Sequence, residues 1–228
     1  MNNMSPIAMV AESDPQQIQT VFDSQLATAI RWRESVAEQR IARLKRLREA
    51  VLEHRQAFYH AFELDYRKPI AEVDVTELMP VLDEIRHAVG RLKQWMKPQK
   101  VSPTSLMLTT SAWVEYQPRG RVLIIAPWNY PLNLCFGPLV SALAAGNTAI
   151  IKPSEMMPNV SAVMADVIQD VFSSNEVALF EGGLATAEAL LALPFDHIFF
   201  TGSPMVGKVV MAAAAKNLTS VTLELGGK

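Results

Sequence analysis

The ten residues Val122-Leu123-Ile124-Ile125-Ala126-Pro127-Trp128-Asn129-Tyr130-Pro131 decide the fold. Five consecutive apolar residues, with no polar position alternating among them, have the pattern of a parallel strand covered on both faces. Two prolines then stiffen a turn, and an apolar helical stretch runs on to Ala145. The same strand-then-helix unit recurs downstream. Thr148 to Lys152 is followed by Val160 to Val171, Val177 to Phe180 by Ala185 to Ala192, and His197 to Thr201 by Gly207 to Lys216; Val221 to Leu225 closes the series. Alternation of this kind predicts an α/β fold with a doubly wound, mostly parallel, Rossmann-like sheet, which binds ligands at the carboxyl ends of its strands.

Upstream the pattern changes. Residues 1–121 hold 17 of the 21 Lys and Arg and 15 of the 23 Asp and Glu, so an exposed front precedes a buried back half. From Gln16 to Trp95 the period is helical, as in Ile41, Leu44, Leu47, Val51 and Leu52, and Pro69 and Pro80 mark helix boundaries. The basic stripe Arg40, Arg43, Lys45, Arg46 and Arg48 is flanked by acidic residues and reads as a solvated helix face rather than an anion site. Between Pro98 and Pro118, turn residues surround two β-prone runs, 106–110 and 113–116. They read as a hairpin arm that needs a neighbouring domain or a second subunit to cover it. The expected organisation is a helical segment over 1–97, an arm over 98–119 and a Rossmann-like domain over 120–228.

With 228 residues, half of them apolar, the chain can bury a large core, and a net charge of −2 gives no footprint for nucleic acid or an anionic membrane surface. No apolar run is long and unbroken enough to form a membrane segment. The single cysteine, Cys135, excludes an intramolecular disulfide, and without an export signal a cytoplasmic chain is expected. No metal-ligand set is assigned.

The chemistry-bearing residues fall at strand ends. Asn129 sits in the stiffened turn, where its carboxamide serves either as an oxyanion donor or as a cap for the next helix. Lys152-Pro153-Ser154-Glu155 places a cation and a carboxylate three apart, suited either to an adenosine ribose diol or to a helix N-terminus. Gly202, Gly207 and Lys208 satisfy most of a phosphate-loop pattern, but Val209 stands where a magnesium-binding hydroxyl is required, and no G-x-G-x-x-G follows any strand. Glu224 lies at the end of the β-prone run 220–223, ahead of Gly226-Gly227, and a carboxylate at a strand end is a candidate general base.

Four segments in one register resemble the aldehyde dehydrogenase superfamily: PWNYP at 127–131, AGNTAIIKPSE at 145–155, FTGSPMVG at 200–207 and ELGGK at 224–228. The resemblance reaches nearly the whole chain but only the front part of the family's length. It implies NAD(P)-dependent oxidation of an aldehyde to a carboxylic acid through a cysteine thiohemiacetal and thioester. Asn129 would supply the side-chain half of the oxyanion hole and Glu224 the base for the deacylating water. Lys152 and Glu155 would grip the adenosine ribose, with Ser154 beside them. Gly202, Ser203 and Val206 would lie along the pyrophosphate, and Pro127, Trp128, Leu225 and Gly226 would complete the cofactor contacts. Trp128, Tyr130 and Leu132 would also face the aldehyde.

A carboxylate at Glu155 favours NAD, because it repels a 2′-phosphate, while Lys152 leaves NADP use open. In the family the nucleophilic cysteine lies beyond the last motif, and Cys135 sits in an apolar helix well around from Asn129, so the chain alone is expected to be inactive. The resemblance also implies a homodimeric parent whose arm makes the subunit contact, and a branch acting on long-chain or aromatic aldehydes, coniferyl aldehyde among them. The rival readings are a non-catalytic nucleotide-binding module and a phosphate-loop NTPase.

Overall fold

The computed structural model describes residues 10–227; residues 1–9 and Lys228, the last residue of the Glu224–Lys228 motif, lie outside the described residues. The front is helical: α1 (Pro15–Arg33), α2 (Ala37–Glu53) and α3 (Arg55–Tyr66). α4 (Ile70–Val73) then runs through a π-helical turn, Asp74–Leu78, into α5 (Met79–Trp95). Pro69 precedes α4, where a missing backbone N–H costs least, whereas Pro80 lies within the continuous helical run just after the π-helical turn. Asp14 opens α1 by accepting the Gln16 N–H at 3.0 Å.

The arm pairs β1 (Gln99–Val101) with β2 (Ala112–Val114) antiparallel, Val101 opposite Ala112. The first strand is therefore not the 106–110 run expected from the sequence. Pro103 cannot donate to a ladder and stops the strand at Val101, leaving Leu106, Met107 and Leu108 exposed in the connection.

The back half is α/β: β3 (Arg121–Ile125), α6 (Pro131–Ala145), β4 (Thr148–Lys152), α7 (Pro158–Val171), β5 (Val177–Leu179), α8 (Leu184–Leu191), β6 (His197–Gly202), α9 (Pro204–Ala215) and β7 (Ser220–Leu225). The five strands are parallel in the order β5-β4-β3-β6-β7, so the chain reverses its direction across the sheet beside β3. Side chains alternate between faces. Val122, Ile124, Ala149 and Ile151 join a core with α2, α3, α5, α6 and α7, whereas Leu123, Ile125, Ile150 and Phe200 pack against α1, α8 and α9. Gln25 fastens α1 to the sheet by donating to the Ala149 and Ser174 carbonyls.

Two arginines of the basic stripe are buried, contrary to the solvated face expected for them: Arg40 is 4% exposed and Arg43 1%. Arg40 donates to the carbonyls of Ala144 and Ala145 at 3.3 and 2.7 Å, closing the C-terminus of α6. Gly146 follows at φ +90°, and a Cβ there would lie 2.6 Å from the Arg40 guanidinium carbon. Arg43 stacks on Trp32 at 3.7 Å, with Glu176 at 3.6 Å, and burial lowers its pKa to about 10. The partners come from distant segments, so the charge pattern alone gave no sign of them.

His197, at the start of β6, is half-buried, with Nδ1 2.8 Å from the Ser220 hydroxyl and Nε2 3.2 Å from that of Thr222. Burial lowers its pKa most, the nearby Arg119 charge adds to this, and the contact at Ser220 opposes both. A depressed folded pKa means that the unfolded chain takes the proton first. Stability is therefore present above the ordinary histidine value of 6.5 and lost as pH falls through the lower folded value. The thermal midpoint is expected to drop over that window, and less steeply in His197→Gln. Parallel melting curves of the two chains across this range would expose the idea as wrong.

Candidate functional site

Parallel register places the strand ends on one edge. Ile125 stands opposite both Lys152 and Phe200, Thr201 opposite Glu224, and Gly202 opposite Leu225. Beyond that edge opens a cleft of about 1470 Å³ lined by Pro127, Trp128, Asn129, Gly202, Ser203, Glu224, Leu225 and Gly226, among others. Eight of the residues singled out from sequence therefore meet in one place. Lys152, Ser154 and Glu155 do not line this cleft. Ser154 and Glu155 border a narrow crevice one strand over, with Val10, Glu181 and Gly182, and Val206 is exposed on the first turn of α9.

Asn129 is exposed, and α6 starts at Pro131 after Tyr130 with no side-chain cap. Among the described residues the Asn129 carboxamide has no hydrogen-bond partner, so the capping reading fails and its N–H groups are left for the cleft. Glu224 is exposed near the end of β7, and the next turn leaves along β6 through Gly226 N–H donating to Gly202 O at 3.3 Å.

Lys152, 6% exposed at its side chain, holds the half-exposed Glu155 at 2.9 Å between Nζ and Oε2. Burial raises the Glu155 pKa most strongly, but its own backbone N–H and Lys152 outweigh that and leave it lowered. Glu155 is thus an anion with an acceptor free for a further donor, beside a cation with spare N–H groups. That donor set fits a ribose diol.

Ser203 caps α9 by accepting the Val206 N–H at 3.3 Å. α9 begins at Pro204, and Gly207 N–H donates to Ser203 O at 2.9 Å, so Gly207 and Lys208 lie inside a helix. No loop remains to wrap a triphosphate, and the phosphate-loop reading fails on geometry as well as on Val209. Gly207 serves packing: a Cβ there would lie 2.9 Å from Leu225.

Cys135 is fully buried, and burial, with Glu77 second, pushes its thiol pKa up against the weaker pull of Lys152. It is not a thiolate.

Sequence reading missed the support beneath the Asn129 turn. Glu77, on the π-helical turn, is 0% exposed, accepts from Lys68 Nζ at 2.7 Å and takes the Asn133 N–H of α6 at 3.0 Å on its other oxygen. Asn133 in turn donates to the Thr76 carbonyl. Lys68 Nζ lies 4.5 Å from the centre of the Tyr130 ring, and Tyr66 meets Trp128 at 6.0 Å. The front helices therefore grip both ends of the turn that presents Asn129. The available signal was a carboxylate at an inward position, four residues from both Val73 and Val81.

The aldehyde dehydrogenase family profile matches residues 2–228. A Pseudomonas aeruginosa protein named "Probable coniferyl aldehyde dehydrogenase" is 42% identical over 99% of this chain and 48% of its own length. The substrate-bound AldH of Staphylococcus aureus superposes with a TM-score of 0.90 at 41% identity, covering 92% of this chain and 46% of that one. An aldehyde dehydrogenase of Mycobacterium tuberculosis complexed with NAD+ gives a TM-score of 0.85 at 25% identity, over 96% and 45%. The chain spans about half the length of the curated relatives it matches.

Removing one partner of the Lys68–Glu77 pair leaves the other charge buried. Glu77→Ala is expected to cost about 3–5 kcal/mol in denaturant unfolding, and the double change Lys68→Met with Glu77→Leu to recover most of it. A single change that costs no more than a surface substitution would refute the pairing.

Proposed function

The chain belongs to the aldehyde dehydrogenase family, and from that premise we propose that these residues hold the dinucleotide and supply two polar groups for NAD-dependent aldehyde oxidation. The observation that carries the reading is one cleft bordered by both Asn129, a carboxamide with free N–H groups, and Glu224, an exposed carboxylate on β7. A bound NAD would supply the hydride acceptor.

Asn129 donates to the oxygen that becomes anionic when the aldehyde carbonyl is attacked, and the Lys68–Glu77 clamp fixes its position before substrate arrives. Glu224 takes a proton from the water that releases the acid. Lys152 and Glu155 bind the adenosine ribose hydroxyls, the carboxylate accepting and the ammonium donating, and the negative charge of Glu155 favours NAD over NADP. Ser203, at the opening of α9, faces the pyrophosphate side. Cys135 is excluded as nucleophile by its burial, so we place the attacking thiolate outside these 228 residues. Trp128 and Tyr130, both exposed beside Asn129, suit a large apolar or aromatic aldehyde, the class named for the Pseudomonas aeruginosa relative. The exposed Val101 and Trp113 of the arm, with Leu106 and Leu108 in its connection, suit burial against a second copy.

Calorimetric titration of the 228-residue chain tests the cofactor reading. NAD+ is expected to bind, with affinity reduced about tenfold, ~1.4 kcal/mol, by Lys152→Met or Glu155→Ala and unchanged by Asn129→Ala or Glu224→Gln. Aldehyde-dependent NADH formation is expected to be absent. Absent NAD+ binding, or binding indifferent to Lys152, would sink the cofactor reading; turnover that survives Cys135→Ala would sink the placement of the nucleophile.

A further inference from the structure

A second carboxylate, brought by the segment ahead of α1, is tied to the loop that borders the Ser154–Glu155 crevice. Glu12 Oε2 accepts the Gly183 N–H at 3.0 Å, the Thr186 N–H at 2.9 Å and the Thr186 hydroxyl at 2.5 Å. These are the groups at the start of α8, so an anion already occupies that helix N-terminus. Ser13 fastens the same segment, with its N–H on the Thr186 hydroxyl at 2.9 Å and its own hydroxyl on the Glu181 carbonyl at 2.5 Å.

The backbone is shaped for this approach. Gly182 adopts φ +140°, and a Cβ there would lie 2.0 Å from the Thr186 hydroxyl and 2.8 Å from Glu12 Oε2. At Gly183 a Cβ would come within 3.0 Å of Glu12 Oε1. Two consecutive glycines thus make room for one carboxylate 171 residues earlier in the chain.

Gly182 borders the same crevice as Ser154 and Glu155. The Glu12 charge reaches Glu155, whose pKa it raises slightly against the larger effects already described. Glu12 itself is held below the usual carboxylate range, first by the Thr186 hydroxyl and then by the Thr186 N–H, so it is ionised when the cofactor binds.

We propose that Glu12 is a specificity determinant that acts with Glu155 to reject a 2′-phosphate on the adenosine ribose. It does so by adding negative charge beside that position and by filling the α8 N-terminus that would otherwise stabilise the phosphate. This rests on the ribose reading of Lys152 and Glu155. NAD, with a free 2′-hydroxyl, meets neither obstacle. Glu155 alone would leave the donors of α8 available to a phosphate, and Lys152 beside it would add a cation. Glu12 removes the first of these advantages.

The test compares NAD+ and NADP+ titrated calorimetrically into the full chain and into Glu12→Gln, which keeps an acceptor oxygen for α8 but loses the charge, and Glu12→Ala, which frees the N–H groups. NAD+ affinity is expected to be unchanged in both. NADP+ affinity is expected to rise about fivefold in Glu12→Gln and more in Glu12→Ala, with the gain shrinking at high salt. An NADP+ to NAD+ ratio that stays at the starting value in Glu12→Gln overturns the proposal, as does an equal rise for both nucleotides, which would reflect net charge alone. If Glu12→Ala fails to fold, Glu12→Gln decides by itself. If the unchanged chain binds neither nucleotide, the ribose reading falls and this inference with it, an outcome distinct from NAD+ binding with an unaltered ratio.

Discussion

Parallel strand register is the constraint on which the rest depends. Once β3 lies between β4 and β6, every strand must end on the same edge, and the residues after those ends converge without any direct attraction among them. Asn129, Lys152, Ser203 and Glu224 are spread over 96 positions of chain, yet each follows or ends a strand of this sheet. The reversal of direction beside β3 separates the helices that start there. α6 leaves toward one face and α9 toward the other, so the loops between them part and leave a cleft instead of a packed turn.

Register alone does not make a turn rigid. The Pro127–Pro131 turn is bounded by prolines, which restrict its dihedrals, but Trp128, Asn129 and Tyr130 are all exposed and gain little from packing. Its order comes from below, where Glu77 bridges Lys68 to the α6 backbone at Asn133. A buried ion pair of this kind adds little to stability compared with an apolar substitute, because both charges are desolvated. Its worth is directional. An apolar contact would fill the same space without fixing the rotation of the first turn of α6, whereas two hydrogen bonds from one carboxylate do. The π-helical turn at Asp74–Leu78 carries both groups that meet Asn133, the Glu77 carboxylate and the Thr76 carbonyl.

What the sequence made legible follows from the range of the interactions. Strands β3, β4, β6 and β7 and their helices were readable because unbroken apolar runs and Pro or Gly punctuation are local signals, and the candidate site residues stood out by their places at strand ends. The arm was only partly readable: Leu106 to Thr110 has strand propensity, but pairing depends on a partner with the right register, and Gln99–Val101 found one while 106–110 lies in the connection. Arg40 and Arg43 looked solvated because their partners, the end of α6 and the Trp32 ring, come from other elements. Glu77 and Glu12 were invisible for the same reason. Each is a charged residue whose role is fixed by backbone N–H groups 56 and 171 residues away.

The uneven cover of the sheet gives its strand ends two different environments. On the face shared with α6, strands β3, β4 and β5 are sealed by the front helices, but β6 and β7 keep His197, Thr201 and Thr222 only half-buried, and Glu224 is exposed there. A strand edge sealed like β4 can hold a nearly buried lysine, because the surrounding low dielectric strengthens its pairing with Glu155. An unsealed strand end like that of β7 can hold a carboxylate open to water, as Glu224 is. The proposed grip of Lys152 and Glu155 on a cofactor calls for the first environment, and the proposed base Glu224, which must reach water, for the second. One sheet provides both because, among the described residues, two of its five strands are only partly covered on one face.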